Sequence, residues 1–209
     1  MNLLPIYFPE LDEKQLKQLD DLAALLSDWN QKINVVSRKD IDQLNTRHIM
    51  HSLSIARVQK FNDGAHILDV GTGGGLPGIP LAIMFPNVQF HLIDVIQKKI
   101  KVVQAIVEAL GLKNVVAEQI RAENVPNKYD FIVSRAVTNM SDLHVWVKDK
   151  TKKENHHDLK NGILCLKGGD LTEELENFPN AEQYPISEYF NDEFFETKKV
   201  VYQPIKYRL

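Results

Sequence analysis

The sequence predicts an α/β fold: a mostly parallel, twisted sheet covered by helices on both faces and preceded by an α-helical extension. From residue 67 to about residue 166, short apolar runs alternate with stretches of helical periodicity, which is typical of a parallel sheet with crossover helices. Before residue 62, apolar residues recur at helical spacing instead. We therefore expect residues 1–62 to form a helical extension packed on a domain of residues 63–209.

The composition narrows the class of protein. A length of 209 residues fits one compact unit, and the formal charge of -3 gives no general attraction to nucleic acid. Cys165 is the only cysteine, which excludes an internal disulfide and a cysteine-cluster metal site. The first residues lack the order of a signal peptide, and no apolar run approaches membrane-spanning length. We expect a cytoplasmic, monomeric protein.

The extension is predicted to contain two helices. Leucines at helical spacing predict the first helix from Asp12 to about Ile33, and a second is predicted from about Asp40 to Val58. The polar stretch between them is predicted to be a loop. Because no Pro/Gly-rich linker follows, we expect the extension to pack against the main domain.

The main domain is predicted from alternating elements. Strands are expected at Ile67–Val70, Val88–Ile93, Asn114–Glu118, Asp130–Ser134, Gly162–Leu166 and Lys198–Pro204. Helices are expected at Pro77–Phe85, Gln97–Leu110 and Met140–Lys150, and Gly111 supplies a C-terminal cap for the second. The stretch from Gln183 to Tyr207 has no long helix, so it predicts an antiparallel closing pair of strands. Residues 148–160 are predicted to be a solvated loop.

A glycine-rich turn follows the first strand, in the run from Ile67 to Pro80. Gly73, Gly75 and Gly78 fit the dinucleotide pattern G-x-G-x-x-G. Asp69 with Gly71, Gly73 and Gly75 fits D-x-G-x-G-x-G, the pattern of S-adenosylmethionine (AdoMet) sites. The dinucleotide pattern requires its first glycine directly after the strand, where this chain has Asp69 and Gly71-Thr72 instead. The placement therefore favours AdoMet.

Three further positions indicate a nucleoside site. Asp94 ends the second strand, where an acid accepts hydrogen bonds from ribose hydroxyls in NAD and AdoMet sites alike. Ala122 and Glu123 follow the third strand, where a small residue leaves room for an adenine ring. Asp69, by contrast, is expected to support the glycine turn or to contact the amino group of the methionine part of AdoMet.

The end of the fourth strand, Ser134-Arg135-Ala136, is expected to face the substrate. It lacks the N/D-P-P-Y/F run that positions an exocyclic amine, and Cys165 lies in an apolar strand rather than in a nucleophile's setting. A site with Arg135 as the orienting residue, and without a general base or thiol, suits a ring nitrogen that has no proton to lose. Guanine N7 is such an atom, beside the O6 that an arginine can reach.

Polar and basic residues of the extension are candidates for RNA contact. The residues expected near the entrance are Lys32, Asn34, Arg38, Arg47 and His48, although ordinary surface charge is an equal alternative. His48 is more typical of a hydrogen-bonded structural residue than of a ligand, and no spacing of His, Asp or Glu predicts a metal site.

Five segments together resemble one family: 28–30 (D-W-N), 34–37 (N-V-V-S), 47–49 (R-H-I), the glycine run 68–80 and 134–136 (S-R-A). The chain resembles the bacterial ribosomal RNA small-subunit methyltransferase G family, also called glucose-inhibited division protein B. The resemblance implies a Rossmann-like class I AdoMet-dependent methyltransferase fold. It also implies methylation of guanine N7 in the 530 loop of 16S ribosomal RNA, on the 30S subunit or an assembly intermediate.

The resemblance also assigns residues. It implies that Gly71, Leu76, Ala122, Glu123 and Arg135 contact AdoMet, without a metal, and that Lys167 lies near the substrate.

The chain departs from the family at two places, with Gly73-Gly74-Gly75 for the usual Gly-Pro-Gly and His51-Ser52 for the frequent Asp-Ser. Three alternatives stay open: a methyltransferase for a small molecule or protein, a non-catalytic AdoMet-binding module of the ribosome, and an oxidoreductase. The glycine placement disfavours the last.

Overall fold

The computed structural model describes residues 3–35 and 43–205, and a seven-stranded sheet lies at the centre of this described part. The strands are β1 (His66–Val70), β2 (Gln89–Asp94), β3 (Val115–Gln119), β4 (Phe131–Arg135), β5 (Gly162–Gly168), β6 (Glu182–Pro185) and β7 (Lys198–Pro204). Their order is β3-β2-β1-β4-β5-β7-β6. Strands β1 to β5 are parallel, and β7 is antiparallel to both β5 and β6. The predicted parallel sheet and its antiparallel C-terminal strand are confirmed.

Helices cover both faces of this sheet. They are α1 (Leu4–Tyr7), α2 (Glu13–Asn30), α3 (His51–Leu53), α4 (Ile55–Val58), α5 (Gly78–Met84), α6 (Gln97–Ala109), α7 (Met140–Val147) and α8 (Thr172–Leu175). The short helices α1 and α8 were not predicted from the sequence. Helix α7 ends three residues before the predicted Lys150.

The central strand β1 is buried on both faces, which explains its short apolar sequence. Ile67 packs in the core that contains α2, α5 and α6, whereas Leu68 and Val70 pack in the core beneath α7. The alternation of side chains along a strand sends neighbouring residues into opposite cores. Asp69, the second-last residue of this strand, is also buried, so its carboxyl group needs polar partners.

Helix α2 docks on the sheet domain through leucines and two glutamines. It starts with a capping box, in which Asp12 and Gln15 each accept a hydrogen bond from the other's backbone. Gln15 also donates to the carbonyl of Ile83 at 2.8 Å, and Gln18 donates to the carbonyl of Leu110 at 2.8 Å. These side chains cap the C-terminal ends of α5 and α6. The division of the chain at residue 62 stays a prediction.

The second predicted helix needs a correction. Its expected start at Asp40 lies outside the described residues, and Leu44–Met50 forms a π-helical segment before α3 and α4. The hydroxyl of Ser52 donates to the carbonyl of His48, and that of Ser54 donates to the carbonyl of His51, both at 2.6 Å. Such hydroxyls compete with backbone N–H groups for carbonyls, and helices bend where they do so. Irregular turns of this kind are often found at functional sites.

The loop of residues 148–160 is more firmly held than the predicted solvated loop. Lys152 forms an ion pair with Asp130 at 2.7 Å, and the backbone N–H of Asn62 donates to Nε2 of His157 at 3.1 Å. Within the described ranges, no helix has the combination of length and apolar character needed to cross a bilayer.

Candidate active site

The candidate site lies at the carboxyl edge of the parallel strands. Val70 is in register with both Ile93 of β2 and Ser134 of β4, so the turn after β1 lies between the ends of those strands. Arg135, at the end of β4, is in register with Leu166 of β5. The strand order reverses between β1 and β4, which is where open α/β sheets bind ligands.

A cavity of about 660 Å³ opens at this edge, and we call it the larger cavity. Four of the residues predicted to contact RNA line it, together with four of the residues predicted to bind the cofactor, whereas Lys32 does not line it. These predicted residues are Asn34, Arg47, His48, Gly71, Gly73, Leu76, Arg135 and Lys167. Arg38 lies outside the described residues. The structure therefore brings parts of the extension and of the sheet domain around one opening.

A second cavity of about 290 Å³, the smaller cavity, lies beside β2. The predicted residues Gly71, Asp94, Ala122 and Glu123 line it. Gly71, Lys99 and Ala136 line both cavities, so these residues form a shared wall. Gly75 lines neither cavity, because it faces α5, where an added Cβ would lie 2.3 Å from Cδ1 of Ile79.

The turn after β1 is held in a conformation that favours glycine. Gly71 has a φ of +68°, and an added Cβ would lie 2.2 Å from Cγ2 of Val137. The carboxylate of Asp94 fixes the same turn, since Oδ2 accepts from the N–H of Gly73 at 3.1 Å and Oδ1 accepts from the N–H of Ile96 at 2.9 Å. Asp94 thus shapes the turn as well as lining the smaller cavity.

Asp69 supports the turn from behind. Its Oδ2 accepts from the hydroxyl of Thr72 at 2.6 Å and from the N–H of Gly78 at 2.9 Å. Burial raises the pKa of Asp69 to about 7, and the hydrogen bonds from Thr72 and Gly78 act in the opposite direction. Asp69 lines neither cavity, so the geometry matches the expected support of the loop.

Ala122 and Glu123 lie in a short 3₁₀ turn that follows β3. The ammonium group of Lys150 donates to the carbonyl of Glu123 at 2.8 Å and so fixes the backbone of this turn. The small, buried side chain of Ala122 leaves space in the smaller cavity, and Trp146 of α7 borders the same space. The arrangement suits a flat ring.

Arg135 is tied to the helical extension. Its Nη1 lies 3.0 Å from Nδ1 of His48, and a guanidinium group can only donate, so Nδ1 of His48 is the acceptor. His48 is buried in the π-helical segment. The prediction of a hydrogen-bonded role for His48 fits this contact. Within the described ranges, no group of three His, Cys, Asp or Glu residues could hold a metal ion.

His51 also lines the larger cavity, edge-on to the rings of Phe194 and Phe195 at centroid distances of 5.7 and 6.1 Å. Burial lowers its pKa from 6.5 to about 3, and the charges of Arg135 and Lys198 add to this effect. The imidazole is therefore neutral at physiological pH.

Lys167 is engaged by the protein itself. Its ammonium group lies 2.6 Å from Oε1 of Glu174 and donates to the carbonyl of Thr138 at 2.9 Å. Only 12% of its side chain is exposed. The same Oε1 of Glu174 accepts from the N–H of Met140 at 2.6 Å. Lys167 therefore ties the segment after Arg135 to β5, a role that its position in the sequence did not predict.

Several residues that line the cavities were not predicted. Lys99 lies in the first part of α6, 3.9 Å from Oδ2 of Asp94, and its place just after a strand-end acid could have indicated it. Ala136 belongs to the strand end that was expected to face the substrate, but its φ of +54°, a strained conformation for a residue other than glycine, was not predicted. Phe194 comes from the connection between β6 and β7, and Lys198 is the first residue of β7; neither position carries a motif.

A model of the family described as rRNA small subunit methyltransferase G matches residues 15–201 of the chain. A protein named ribosomal RNA small subunit methyltransferase G from Flavobacterium psychrophilum is 67% identical over 203 residues, which cover 97% of each chain. The protein of the same name from Cytophaga hutchinsonii is 53% identical over 98% of this chain and 99% of its own.

Solved structures show the same fold at low sequence identity. A precorrin-6y C5,15-methyltransferase from Geobacter metallireducens has a TM-score of 0.58 at 12% identity, over 83% of this chain and 92% of its own. A SAM-dependent methyltransferase from Aquifex aeolicus has a TM-score of 0.58 at 16% identity, over 79% of this chain and 94% of its own. The predicted fold class is confirmed by these neighbours together with the sheet topology.

Proposed function

The chain belongs to the rRNA small subunit methyltransferase G family, and on that premise we propose that it methylates N7 of a guanine in the 530 loop of 16S ribosomal RNA. The family assignment makes it an AdoMet-dependent methyltransferase of ribosomal RNA. The observation that carries the proposal is the pair of adjoining cavities at the carboxyl edge. The strand-end acid Asp94 borders the smaller cavity, and the cations Arg47, Arg135 and Lys198 border the larger cavity.

The smaller cavity fits the nucleoside part of AdoMet. Its volume of about 290 Å³ is near the lower end of the roughly 300–1,000 Å³ of small-molecule sites. The two backbone bonds of Asp94 leave further lone pairs of its carboxylate for ribose hydroxyls. We assign the adenine ring to the space beside Ala122 and Glu123, and the methionine part to the turn of Gly71, Gly73 and Leu76. Gly75 supports this turn without facing the ligand.

The described residues around the larger cavity suit a reaction without proton removal. When bound, AdoMet supplies a methyl group that is already activated by its sulfonium. Guanine N7 has a free lone pair and no proton, so alignment is sufficient. His51, with its pKa near 3, is a poor base, and burial raises the pKa of the Cys165 thiol to about 12, which excludes it as a nucleophile. Arg135, held by His48, orients the base through O6.

RNA contacts are assigned to the rim of the larger cavity. Asn34 and Arg47 line it from the extension, and Arg47 also lies over the ring of Phe194 at 5.5 Å. Cations interleaved with an aromatic ring suit a nucleic-acid chain. His48 and Lys167 act through the neighbours that they hold. We propose that the chain works as a cytoplasmic monomer on 16S RNA in the 30S subunit or in an assembling particle. Residues 1–62 then form an extension that completes the rim.

The test is mass spectrometry of 16S RNA from cells that lack the protein. We expect one N7-methylguanosine to be missing from the 530 loop and to return when the gene is restored. Activity on RNA-free substrates alone would instead support a small-molecule or protein methyltransferase. Cofactor binding without turnover on 30S particles would support the non-catalytic module.

A variant pair tests the site. Arg135→Ala should lower the rate of methyl transfer more than the affinity for AdoMet, because it orients the base. Arg57→Ala is the matched control, since Arg57 lies over the ring of Phe8 and lines neither cavity. Equal losses of transfer and cofactor affinity in Arg135→Ala would reduce Arg135 to a cofactor ligand.

A further inference from the structure

His51 presents a buried nitrogen that the described residues leave without a hydrogen-bond partner. The residue is 7% exposed and lines the larger cavity, and its Nε2 is shielded from bulk water. A buried polar atom without a partner costs about 1–3 kcal/mol, so such atoms are rare unless a ligand satisfies them. The position therefore indicates a contact that forms when the cavity is filled.

The hydrogen bonds of His51 fix which nitrogen carries the proton. A bond to the backbone of Arg47 raises its pKa, so the imidazole donates in that bond and the carbonyl accepts. Because Nε2 has no partner in the part of the chain that the structure describes, the donor is Nδ1. In a neutral imidazole with a proton on Nδ1, Nε2 is an acceptor only. The cavity thus contains an acceptor that requires an N–H or O–H group.

The charges around His51 select the kind of donor. Arg135, Lys198 and His48 are the groups that lower its pKa by their charge, and the two cations would repel the ammonium group of AdoMet. His51 is also absent from the lining of the smaller cavity, and its aromatic neighbours Phe194 and Phe195 come from the β6–β7 connection. The side of the cavity that holds His51 therefore favours a neutral donor.

We propose that Nε2 of His51 accepts a hydrogen bond from a neutral N–H group on the Watson–Crick edge of the target base. The inference rests on the proposed function and extends it to the choice of base. Guanine carries an acceptor, O6, directly beside a donor, N1–H, whereas adenine carries a donor beside an acceptor at the same positions. Arg135 as donor and His51 as acceptor match guanine and mismatch adenine.

The ring of Phe194, which lies edge-on to His51, is covered by two cations. Arg47 and Lys198 both lie over the ring of Phe194, at 5.5 and 5.1 Å from its centroid, and both are long and flexible. A base that displaces them exchanges a cation–π contact for stacking on the same ring, which is of comparable strength.

Two amide variants test the acceptor. His51→Gln places an amide oxygen near the position of Nε2, whereas His51→Asn reaches only the position of Nδ1. With 30S particles as substrate, we expect kcat/KM to fall about 10-fold in His51→Asn, which is the loss of one neutral hydrogen bond, and to recover in His51→Gln. Calorimetry should give AdoMet affinities within about 2-fold of the wild type for both variants, because His51 is proposed to contact the base and not the cofactor. Loss of a contact of about 1.4 kcal/mol to the cofactor would instead lower the affinity about 10-fold.

The outcomes separate this inference from the proposed function. Equal activity of both variants and the wild type overturns the acceptor role, and a parallel loss of AdoMet affinity assigns His51 to the cofactor instead. Histidine ¹⁵N NMR on the wild type provides a check that needs no variant, since Nε2 must be unprotonated and must shift when the RNA substrate binds. Absence of methyl transfer by the wild type to any RNA would reject the proposed function itself, whatever the His51 variants do.

Discussion

Gly71→Ala tests the geometry of the turn that separates the two cavities. Gly71 has a φ of +68°, and an added Cβ would lie 2.2 Å from Cγ2 of Val137. Gly111 is a matched control, because its φ is +65° and no atom of residues 3–35 or 43–205 lies within 4 Å of the added Cβ, its own chain neighbours aside. The two substitutions share the same backbone strain, and only Gly71→Ala adds a steric clash.

The expected losses of stability follow from the left-handed backbone at both glycines and from the clash at Gly71. A left-handed alanine costs about 1–2 kcal/mol, offset by about 0.4–1 kcal/mol because alanine restricts the unfolded chain. Gly111→Ala should therefore cost about 1 kcal/mol, or about 2–4 °C in Tm for a chain of this length. Overpacking against Val137 adds about 1–3 kcal/mol in Gly71→Ala, for a total of about 2–4 kcal/mol.

Thermal unfolding followed by circular dichroism measures these differences, and calorimetry measures AdoMet binding. We expect Gly71→Ala to lose AdoMet affinity and Gly111→Ala to keep it. Addition of Val137→Ala to Gly71→Ala should recover about 1–3 kcal/mol relative to the sum of the single changes, because it removes the clashing methyl groups. Equal Tm losses in the two glycine variants, with no coupling to Val137, would refute the steric argument.

Three further predictions concern buried groups. Burial raises the pKa of Asp69 from 3.8 to about 7, so stability from this group is complete below pH 3.8 and is lost as pH rises through 7. The free energy of unfolding of Asp69→Asn, measured with urea and compared with the wild type, should therefore rise between pH 3.8 and about pH 7 and then level off, and a difference that does not change with pH would contradict this. Lys167→Met breaks the pair with Glu174 and should cost about 1–3 kcal/mol with a lower kcat, whereas Lys199→Met, at an exposed site, should change stability by less than about 0.5 kcal/mol. Cys165, buried and with its pKa raised to about 12, should resist a maleimide in the native protein, as judged by mass spectrometry, and react only after unfolding.

The strand ends were predictable because simple rules fix them. Parallel strands place their carboxyl ends at one edge, so the glycine turn, Asp94 and Arg135 had to meet once the strands were identified. Lys167 was also placed at this edge, but its ion pair depends on the placement of Glu174, which also accepts from the N–H of Met140, 34 positions earlier in the chain. Partners of that kind leave no periodic signal.

Other features depend on local competition or on distant packing. The hydroxyl of Ser52 bonds to the carbonyl of His48 within the π-helical segment, and the apolar pattern does not report such a bond. Gly75 satisfies the glycine motif yet faces Ile79, because the motif does not state which side of the turn a residue occupies. Phe194 lies in the connection between β6 and β7, and the position of this connection depends on the strand order β5-β7-β6, which the sequence pattern does not report.

The wall shared by the two cavities has a thermodynamic consequence. Gly71, Lys99 and Ala136 border both spaces, so whatever occupies one space alters the surface offered to the other. Linkage requires the effect to be reciprocal: if the methyl donor tightens the hold on RNA by some factor, RNA tightens the hold on the donor by the same factor. After methyl transfer the first space holds S-adenosylhomocysteine, whose sulfur is neutral. The coupling between this product and the RNA would then affect how fast the methylated RNA dissociates.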